Sequence, residues 1–193
     1  AIGLQYITYT KEDYKRLPKR YADSHKGTYG HVLVIAGSKN MAGAAYFSAL
    51  AAYRMGAGLV TLYTPESNRC ILQQLLPEAV LKTYPDTAPD LSALSDQLNN
   101  YQAIILGPGL DQNAASENIV RTVTASDIKI PLIIDADGLN ILSKKHGMAV
   151  KIHDSNGHYA SYEGTFTMII LYASRSVSLL IGTDKFSAID NCF

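Results

Sequence analysis

The chain has 193 residues, of which 47% are hydrophobic and 18% charged, so it has the composition of a globular protein with a core of ordinary size. Its 17 basic and 17 acidic side chains balance, which excludes a protein drawn to nucleic acid or to an anionic membrane by its overall charge. The two cysteines, Cys70 and Cys192, lie in no CxxC pair and in no zinc-type spacing. We therefore expect structural thiols in a reducing compartment and no zinc site.

Neither a signal peptide nor a transmembrane helix is predicted. No basic stretch followed by an apolar run lies behind Ala1, and the longest apolar stretch, residues 166–182, is interrupted by Arg175. The expected location is the cytoplasm.

The first predicted elements follow a polar lead-in over residues 1–24. Within this lead-in, "YTKEDYKRLPKR" predicts a short helix that ends near Pro18. The run "HVLVIAG" predicts a fully buried strand, because its apolar residues do not alternate with polar ones. The segment "AGAAYFSALAAYRMGAG" then predicts a helix from about Ala42 to Met55, ended by Gly56 and Gly58.

Strand and helix patterns continue to alternate up to about residue 146. Strands are predicted for "LVTLYT", "AVLKTYP", "AIILGPG" and "PLIIDAD". Helices are predicted for "SNRCILQQLLP", which opens on a serine able to cap it, and for "LSALSDQLNNY", "NAASENIVRTVTAS" and "GLNILSKKHG". This alternation indicates right-handed βαβ units, so the predicted fold class is α/β, with a mainly parallel sheet covered by helices on both faces.

The pattern changes after about Met148. Residues 149–193 contain two strand-like pieces, "TFTMIILYA" and "SVSLLIG", with no amphipathic helix between them and no legible site motif. A small β addition and a poorly specified tail both fit this segment, and we favour the tail. The predicted organisation is a lead-in over 1–24, an α/β domain over 25–148 and an atypical tail over 149–193.

Three segments place small or acidic residues directly after predicted strands, at the carboxyl ends of the strands, where α/β proteins bind ligands. The first, "AGSKNMAGAA", brings Gly43, Ala44 and Ala45 to the start of a helix. These residues either let a flat or phosphorylated ligand approach the backbone or pack the helix tightly on the sheet. The segment matches neither GxGxxG nor GxxxxGK[ST], which disfavours a Rossmann-type oxidoreductase.

The second and third segments are "ILGPGL" and "IIDADGLNIL". Gly107 and Gly109 flank Pro108, and we expect them to expose N–H groups to an anion or a polar ring substituent, with an ordinary turn as the alternative. Asp135 and Asp137 are suited to hold Mg²⁺ or a polar substrate group, unless Asp137 only caps the next helix. The cluster "DSHKGTYG" precedes the first strand, at the opposite end of the sheet, and is predicted to be a structural turn.

Taken in order, "DSHKGTYGHVLVIAGSKNMAGAAYFSALAAYRMGAGLVTLYTPES", "LLPEAV", "AIILGPGL" and "PLIIDADGLNIL" resemble the ADP/ATP-dependent NAD(P)H-hydrate dehydratase family over about residues 10–146. The resemblance implies a ribokinase-like three-layer sandwich. It also implies a repair reaction in which ADP, or ATP in eukaryotic members, with Mg²⁺, phosphorylates the S form of hydrated NADH or NADPH before phosphate leaves. The substrate-binding residues that it implies are Gly43, Ala44, Ala45, Gly107, Gly109, Asp135, Asp137 and Asn140.

The resemblance ends after "DADGLN". The family continues with a TPHxGE-type substrate segment, a nucleotide-binding strand and lysine, and a GGTGD-type turn whose N–H groups and aspartate serve phosphoryl transfer. None of these segments occurs in this sequence, so the catalytic residue is unknown, and nothing is assigned to His153 or His158. A frameshifted or shortened C-terminal part is the first interpretation. A non-catalytic remnant that binds dinucleotide or self-associates is the second, and a small-molecule kinase of the same fold is the third.

Two further expectations concern partners. The lead-in resembles the join between the epimerase and dehydratase domains of bifunctional members, which implies a preceding epimerase domain. The family that it resembles includes tetramers, which implies a homo-oligomer. The alanine-rich helix predicted from about Ala42 to Met55 would then be either a subunit contact or part of the core.

Overall fold

A computed structural model describes residues 15, 19–86 and 88–144, together with the backbone of 166–171 and 179–182. The strands are β1 (His31–Ile35), β2 (Leu59–Pro65), β3 (Val80–Tyr84), β4 (Ala103–Leu106), β5 (Leu132–Asp135), β6 (Phe166–Leu171) and β7 (Leu179–Gly182). The helices are α1 (Ala42–Arg54), α2 (Arg69–Leu75), α3 (Leu91–Ser95), α4 (Ala114–Ala125) and α5 (Asp137–Lys144). Within these residues, every helix is too short or too polar to cross a bilayer.

The strands form one seven-stranded sheet in the order β3-β2-β1-β4-β5-β6-β7. Strands β1 to β5 are parallel, as predicted, whereas β6 and β7 pair antiparallel. The chain runs outward from β1 to β3 and then returns to the other side of β1 to form β4. The switch point of the sheet therefore lies between the carboxyl ends of β1 and β4, where open α/β sheets bind their ligands.

Helices cover both faces of the sheet, so the structure has the predicted three layers. On one face, fully buried Val34 and Leu62 pack in a cluster with Ala45, Ala49 and Leu72 of α1 and α2. The alanines bring α1 close to the sheet. The other face carries a larger cluster that joins β1, β4 and β5 to α3, α4 and α5; its members include Leu33, Ile35, Ile104, Ile119 and Leu139. Each large aliphatic side chain buried this way stabilises the fold by about 1.5–3 kcal/mol.

Two predicted helices differ in detail from those observed. Helix α3 has only five residues, with Asp90 as its N-cap, and a short 3-10 turn, Leu98–Asn100, follows it. Helix α2 is preceded by a 3-10 turn over Glu66–Asn68 rather than capped by the predicted serine. At its N-cap, the Asn68 amide turns inward and donates to the Ser38 carbonyl and to Thr64 Oγ1, so no side-chain cap forms.

Two pieces of the C-terminal segment are described, and both are strands. Strand β6 pairs with β5, and β7 pairs with β6, so these two pieces extend the sheet, in line with the small β addition that the sequence also allowed. The addition covers the backbone groups that β5 would otherwise leave unpaired at the sheet edge. The predicted lead-in helix, apart from Lys15, and the residues His153, His158 and Cys192 lie outside the described residues.

The "HKGTYG" segment forms the predicted structural turn. It contains a 3-10 helix, Lys26–Tyr29, capped by the His25 side chain, and it precedes β1 at the amino edge of the sheet. The turn packs closely on the loop between α1 and β2, since a Cβ at Gly58 would lie 1.6 Å from the Lys26 carbonyl oxygen. Gly58 is therefore needed for this close approach, whereas Gly56, with a φ of +107°, directly follows the end of α1 at Met55.

Candidate functional site

The loops that follow β1 and β4 are joined at the switch point of the sheet. The Gly37 N–H donates to the Pro108 carbonyl oxygen at 2.8 Å, and the Gly107 N–H donates to the Ile35 carbonyl oxygen at 3.0 Å. These bonds hold two of the three predicted site segments side by side. Because β5 is parallel to β4, the third segment leaves β5 on the same side of the sheet.

Gly107 and Gly109 allow close packing. Both have positive φ angles, +119° and +63°. A Cβ at Gly107 would lie 2.0 Å from the Asp135 carbonyl oxygen, and one at Gly109 would lie 2.6 Å from the Ala44 Cβ. The prediction that both glycines expose N–H groups to a ligand is wrong for Gly107, because its N–H is already bonded to Ile35. These glycines shape the edge by letting neighbouring segments approach.

The start of α1 places its three small residues in three different environments. Gly43 is exposed, and a Cβ there would meet nothing within 4 Å. Ala44 is half-buried against Gly109, and Ala45 is fully buried below Gly37. Of the three, Gly43 therefore offers open space to a ligand, whereas Ala45 serves core packing.

Asp137 ties the loop after β4 to the start of α5. Its Oδ2 accepts from the Asp111 N–H at 2.9 Å, and its Oδ1 accepts from Gln112 Nε2 at 3.1 Å and Asn140 Nδ2 at 3.2 Å. None of these donors is a backbone N–H of α5, so the alternative that Asp137 merely caps this helix is wrong. The structure brings Asp137 and Asn140 together, and both support the loop after β4.

Two non-glycine residues with positive φ lie at this edge, Asp111 at +67° and Ala136 at +48°. Ala136 separates Asp135 from Asp137, and its N–H donates to Asp135 Oδ1 at 2.8 Å. Within the described part of the chain, Asp135 Oδ2 has no hydrogen-bond partner. Such backbone strain persists only where surrounding structure enforces it, and it is concentrated at functional sites.

A cavity of about 200 Å³ opens between the loops after β1, β3 and β4. Its lining includes Ser38, Lys39, Asn40, Asp111 and Asn113. None of these residues was predicted from the sequence as a site residue, although each follows a predicted strand end. Ligand pockets usually measure about 300–1,000 Å³, so a cavity of this size takes only part of a large ligand.

The buried residue Asn68 holds the loop after β1 in place from below. It is fully buried, and besides its two donated bonds it carries an Oδ1 atom without a hydrogen-bond partner in the described structure. Because its Nδ2 atom bonds the Ser38 carbonyl at 3.2 Å, Asn68 holds the loop after β1 against the turn after β2.

The acidic pair does not fit a metal site built by protein alone. Residues 15, 19–86 and 88–144 contain no group of three His, Cys, Asp or Glu side chains placed to hold a metal ion. Both oxygens of Asp137 already accept hydrogen bonds, which leaves Asp135 as the carboxylate with a free oxygen.

Comparison with known sequences identifies close relatives. A profile of the NAD(P)H-hydrate dehydratase family matches residues 32–156. The ADP-dependent (S)-NAD(P)H-hydrate dehydratase of Listeria monocytogenes is 39% identical over 129 residues, covering 66% of this chain and 45% of that protein. The bifunctional NAD(P)H-hydrate repair enzyme of Coxiella burnetii is 40% identical over 128 residues, covering 66% of this chain and 25% of that protein. The chain thus spans half or less of the length of these curated relatives.

Solved structures agree with the fold. An ADP/ATP-dependent NAD(P)H-hydrate dehydratase of Bacillus subtilis, co-crystallised with ATP and Mg²⁺, matches with 37% identity and a TM-score of 0.55, covering 67% of this chain and 46% of that one. A ribokinase-like superfamily protein of Enterococcus faecalis matches with 21% identity and a TM-score of 0.66, covering 89% and 72%. The predicted ribokinase-like α/β fold is confirmed.

Proposed function

Because this chain belongs to the NAD(P)H-hydrate dehydratase family, we propose that it binds hydrated NADH or NADPH at its carboxyl edge, the side of the sheet where strands β1, β4 and β5 end. We further propose that the protein dehydrates the S form with ADP, or ATP, as phosphoryl donor. One observation carries this proposal. The segments after β1, β4 and β5, all within the matched residues 32–156, converge at the switch point and are joined there by hydrogen bonds. These three segments, which are separate in the sequence, thereby form one surface.

The predicted substrate-binding residues divide into two groups on this surface. Gly43 and Asp135 are suited to direct contact, since Gly43 borders open space and Asp135 retains an unused carboxylate oxygen. That oxygen would accept a hydrogen bond from a hydroxyl or carboxamide of the substrate. Ala44, Ala45, Gly107, Gly109, Asp137 and Asn140 act by shaping and holding the surface.

The phosphoryl donor is proposed from relatives, which are named ADP-dependent in Listeria and ATP-dependent in Drosophila melanogaster. The described residues do not by themselves fit a nucleotide with Mg²⁺, because the acidic pair offers one free carboxylate oxygen and no GGTGD-type turn occurs in the sequence. No catalytic step is therefore assigned to the donor.

Calorimetry and an activity assay test the proposal. Titrations with NADPH and with ADP measure binding, and incubation of hydrated NADPH with ADP and Mg²⁺ measures phosphate release and recovery of nicotinamide absorbance. Turnover supports the dehydratase. Binding without turnover supports a non-catalytic remnant, and transfer of phosphate to a small alcohol instead would support a kinase. If neither nucleotide binds, the proposed ligand site is wrong.

A matched pair of variants locates the binding surface. Gly43→Leu places a side chain into the open space at the start of α1, so NADPH binding should weaken at least tenfold while the fold is kept. Ala51→Leu makes a comparable change at an exposed position of the same helix and should leave binding unchanged. Equal affinities of the two variants would place the dinucleotide elsewhere.

The alanine-rich helix also supports a proposed homo-oligomer. Ala45 and Ala49 are buried in the core, whereas Phe47 and Met55 are 68% and 78% exposed. Phe47 and Met55 lie about two turns apart on nearly the same side of α1, and contiguous exposed apolar surface is typical of interaction sites. Light scattering should therefore report a larger particle for the native chain than for Phe47→Glu, with Tyr21→Glu as the control, since Tyr21 is 75% exposed outside this helix.

A preceding epimerase domain remains a proposal of the same kind. The relatives from Coxiella burnetii and Moorella thermoacetica are bifunctional repair enzymes, of which the chain matches 25%. The genomic DNA upstream of the codon for Ala1 tests this proposal. The DNA around the codon for Met148 tests the proposed frameshift. If the other reading frames contain no TPHxGE-like sequence, the frameshift is refuted.

A further inference from the structure

A second cavity, of about 360 Å³, lies between the outer part of the sheet and α3. We propose that this cavity binds a planar nitrogen heteroaromatic ring of nucleobase size. Its volume falls within the range of about 300–1,000 Å³ typical of small-molecule sites. None of the predicted site residues lines it, so the inference stands apart from the proposed function.

The wall of the cavity is aromatic and rigid. Tyr63 and Tyr84 are 7% and 4% exposed, and their rings stack with centroids 4.7 Å apart and planes inclined by 29°. Tyr101, also part of the lining, packs edge-on against His31 with ring centroids 4.7 Å apart. Tyrosine rings held in this way form offset or edge contacts with a flat ligand ring without losing conformational freedom on binding. A saturated ligand of equal size would gain less.

The polar atoms of the lining suit a ring that carries hydrogen-bonding groups. The Tyr84 hydroxyl has no hydrogen-bond partner among the described residues, and the Tyr63 hydroxyl reaches only the Asp90 carbonyl oxygen, at 3.5 Å. Burial raises the pKa of Tyr63 to about 12 and also raises the pKa of Tyr84, so both hydroxyls stay protonated at neutral pH. Nitrogen atoms at the edge of a heteroaromatic ring would accept from these hydroxyls.

The charges at the rim favour a neutral ligand. Lys82 Nζ donates to Gln97 Oε1 and lies 5.8 Å from the centroid of the Tyr101 ring. The Asp90 carboxylate accepts from the Ala93 N–H and from Ser92 Oγ. With one cation and one anion, the lining carries no excess charge for a phosphate or an ammonium group. A neutral nucleobase fits this balance, and its aromatic face supplies the affinity.

Ligand-observed NMR and calorimetry with adenosine test the proposal, with ribose as the probe that lacks the ring. Adenosine should bind and ribose should not. Ala93→Leu fills the cavity from the half-buried face of α3 and should weaken adenosine binding at least tenfold. Tyr84→Phe removes only the unpartnered hydroxyl and should weaken it about fivefold, the effect of one neutral hydrogen bond. Ala51→Leu, on the far side of the sheet, should have no effect.

Two results would overturn the proposal: the absence of adenosine binding to the folded protein, or unchanged affinity in Ala93→Leu with the fold verified by circular dichroism. A parallel titration with NADPH identifies the source of the ring. If Ala93→Leu weakens NADPH binding as well, the cavity takes the base of a dinucleotide; if it weakens adenosine alone, the cavity takes a free nucleoside. Gly43→Leu tests the carboxyl edge separately, so failure of one proposal is distinguishable from failure of the other.

Discussion

Replacing Gly107 with alanine should destabilise the fold strongly, although the change adds a single methyl group. The residue has a φ of +119°, which side chains rarely adopt, and the added Cβ would lie 2.0 Å from the Asp135 carbonyl oxygen and 2.6 Å from the Gly138 nitrogen. Both neighbours are backbone atoms at the junction of β5 and α5. They cannot turn away as a flexible side chain would, so the junction itself must move.

The magnitude follows from two costs. Holding a non-glycine residue at an unfavourable φ costs about 1–3 kcal/mol. Forcing extra volume into a packed region costs about 1–3 kcal/mol, and more when the neighbours are rigid. Together they predict a loss of about 2–6 kcal/mol in the free energy of unfolding, a large share of the roughly 5–15 kcal/mol typical of a native protein. The corresponding fall in the melting temperature is on the order of 10 °C.

Urea unfolding of Gly107→Ala beside Gly43→Ala measures this effect. Gly43 lies in the first turn of α1, and a methyl group added there would meet nothing within 4 Å, so alanine should be neutral or stabilise by up to about 1 kcal/mol. The two variants carry the same chemical change. If Gly107→Ala unfolds within about 1 kcal/mol of the native protein, the close contact between the loop after β4 and α5 is wrong.

Three other predictions follow from the same contacts. Asp137→Ala removes the acceptor of three hydrogen bonds, so the Asp111 N–H should exchange faster with solvent and unfolding should cost about 1–3 kcal/mol less; unchanged exchange would refute this role. Burial, and secondarily Lys82, lowers the pKa of His31 below 6.5, so stability should fall as the pH drops through that value because the unfolded chain binds the proton first. An NMR titration checks this, and Lys82→Gln should raise the His31 pKa. Burial raises the pKa of Tyr63 from 10.0 to about 12, so the unfolded chain ionises first and stability should fall as the pH rises across this interval. Tyr63→Phe should flatten that fall in alkaline unfolding measurements.

Much of the candidate site could be located from the sequence, because its segments directly follow predicted strands. Parallel strands place their carboxyl ends at one edge, so Gly43, Gly107 and Asp135 were expected at the same side of the sheet. Their individual roles could not be predicted. Glycine spacing does not distinguish an N–H open to a ligand from one already bonded to Ile35, as in Gly107. Likewise, the partners of Asp137 on Asp111 and Gln112 lie 26 and 25 residues away in the chain.

The sequence by itself determined the alternation of strands and helices and hence the parallel α/β class, since these depend on local apolar patterns and on glycine and proline stops. Only the tertiary structure decided the antiparallel addition of β6 to β5 and the cavity between the sheet and α3. In that cavity, Leu33, Tyr63, Tyr84 and Tyr101 meet although they belong to separate segments. Their contact depends on strand order and register, which arise from packing the whole chain around one core and leave no trace in any local pattern.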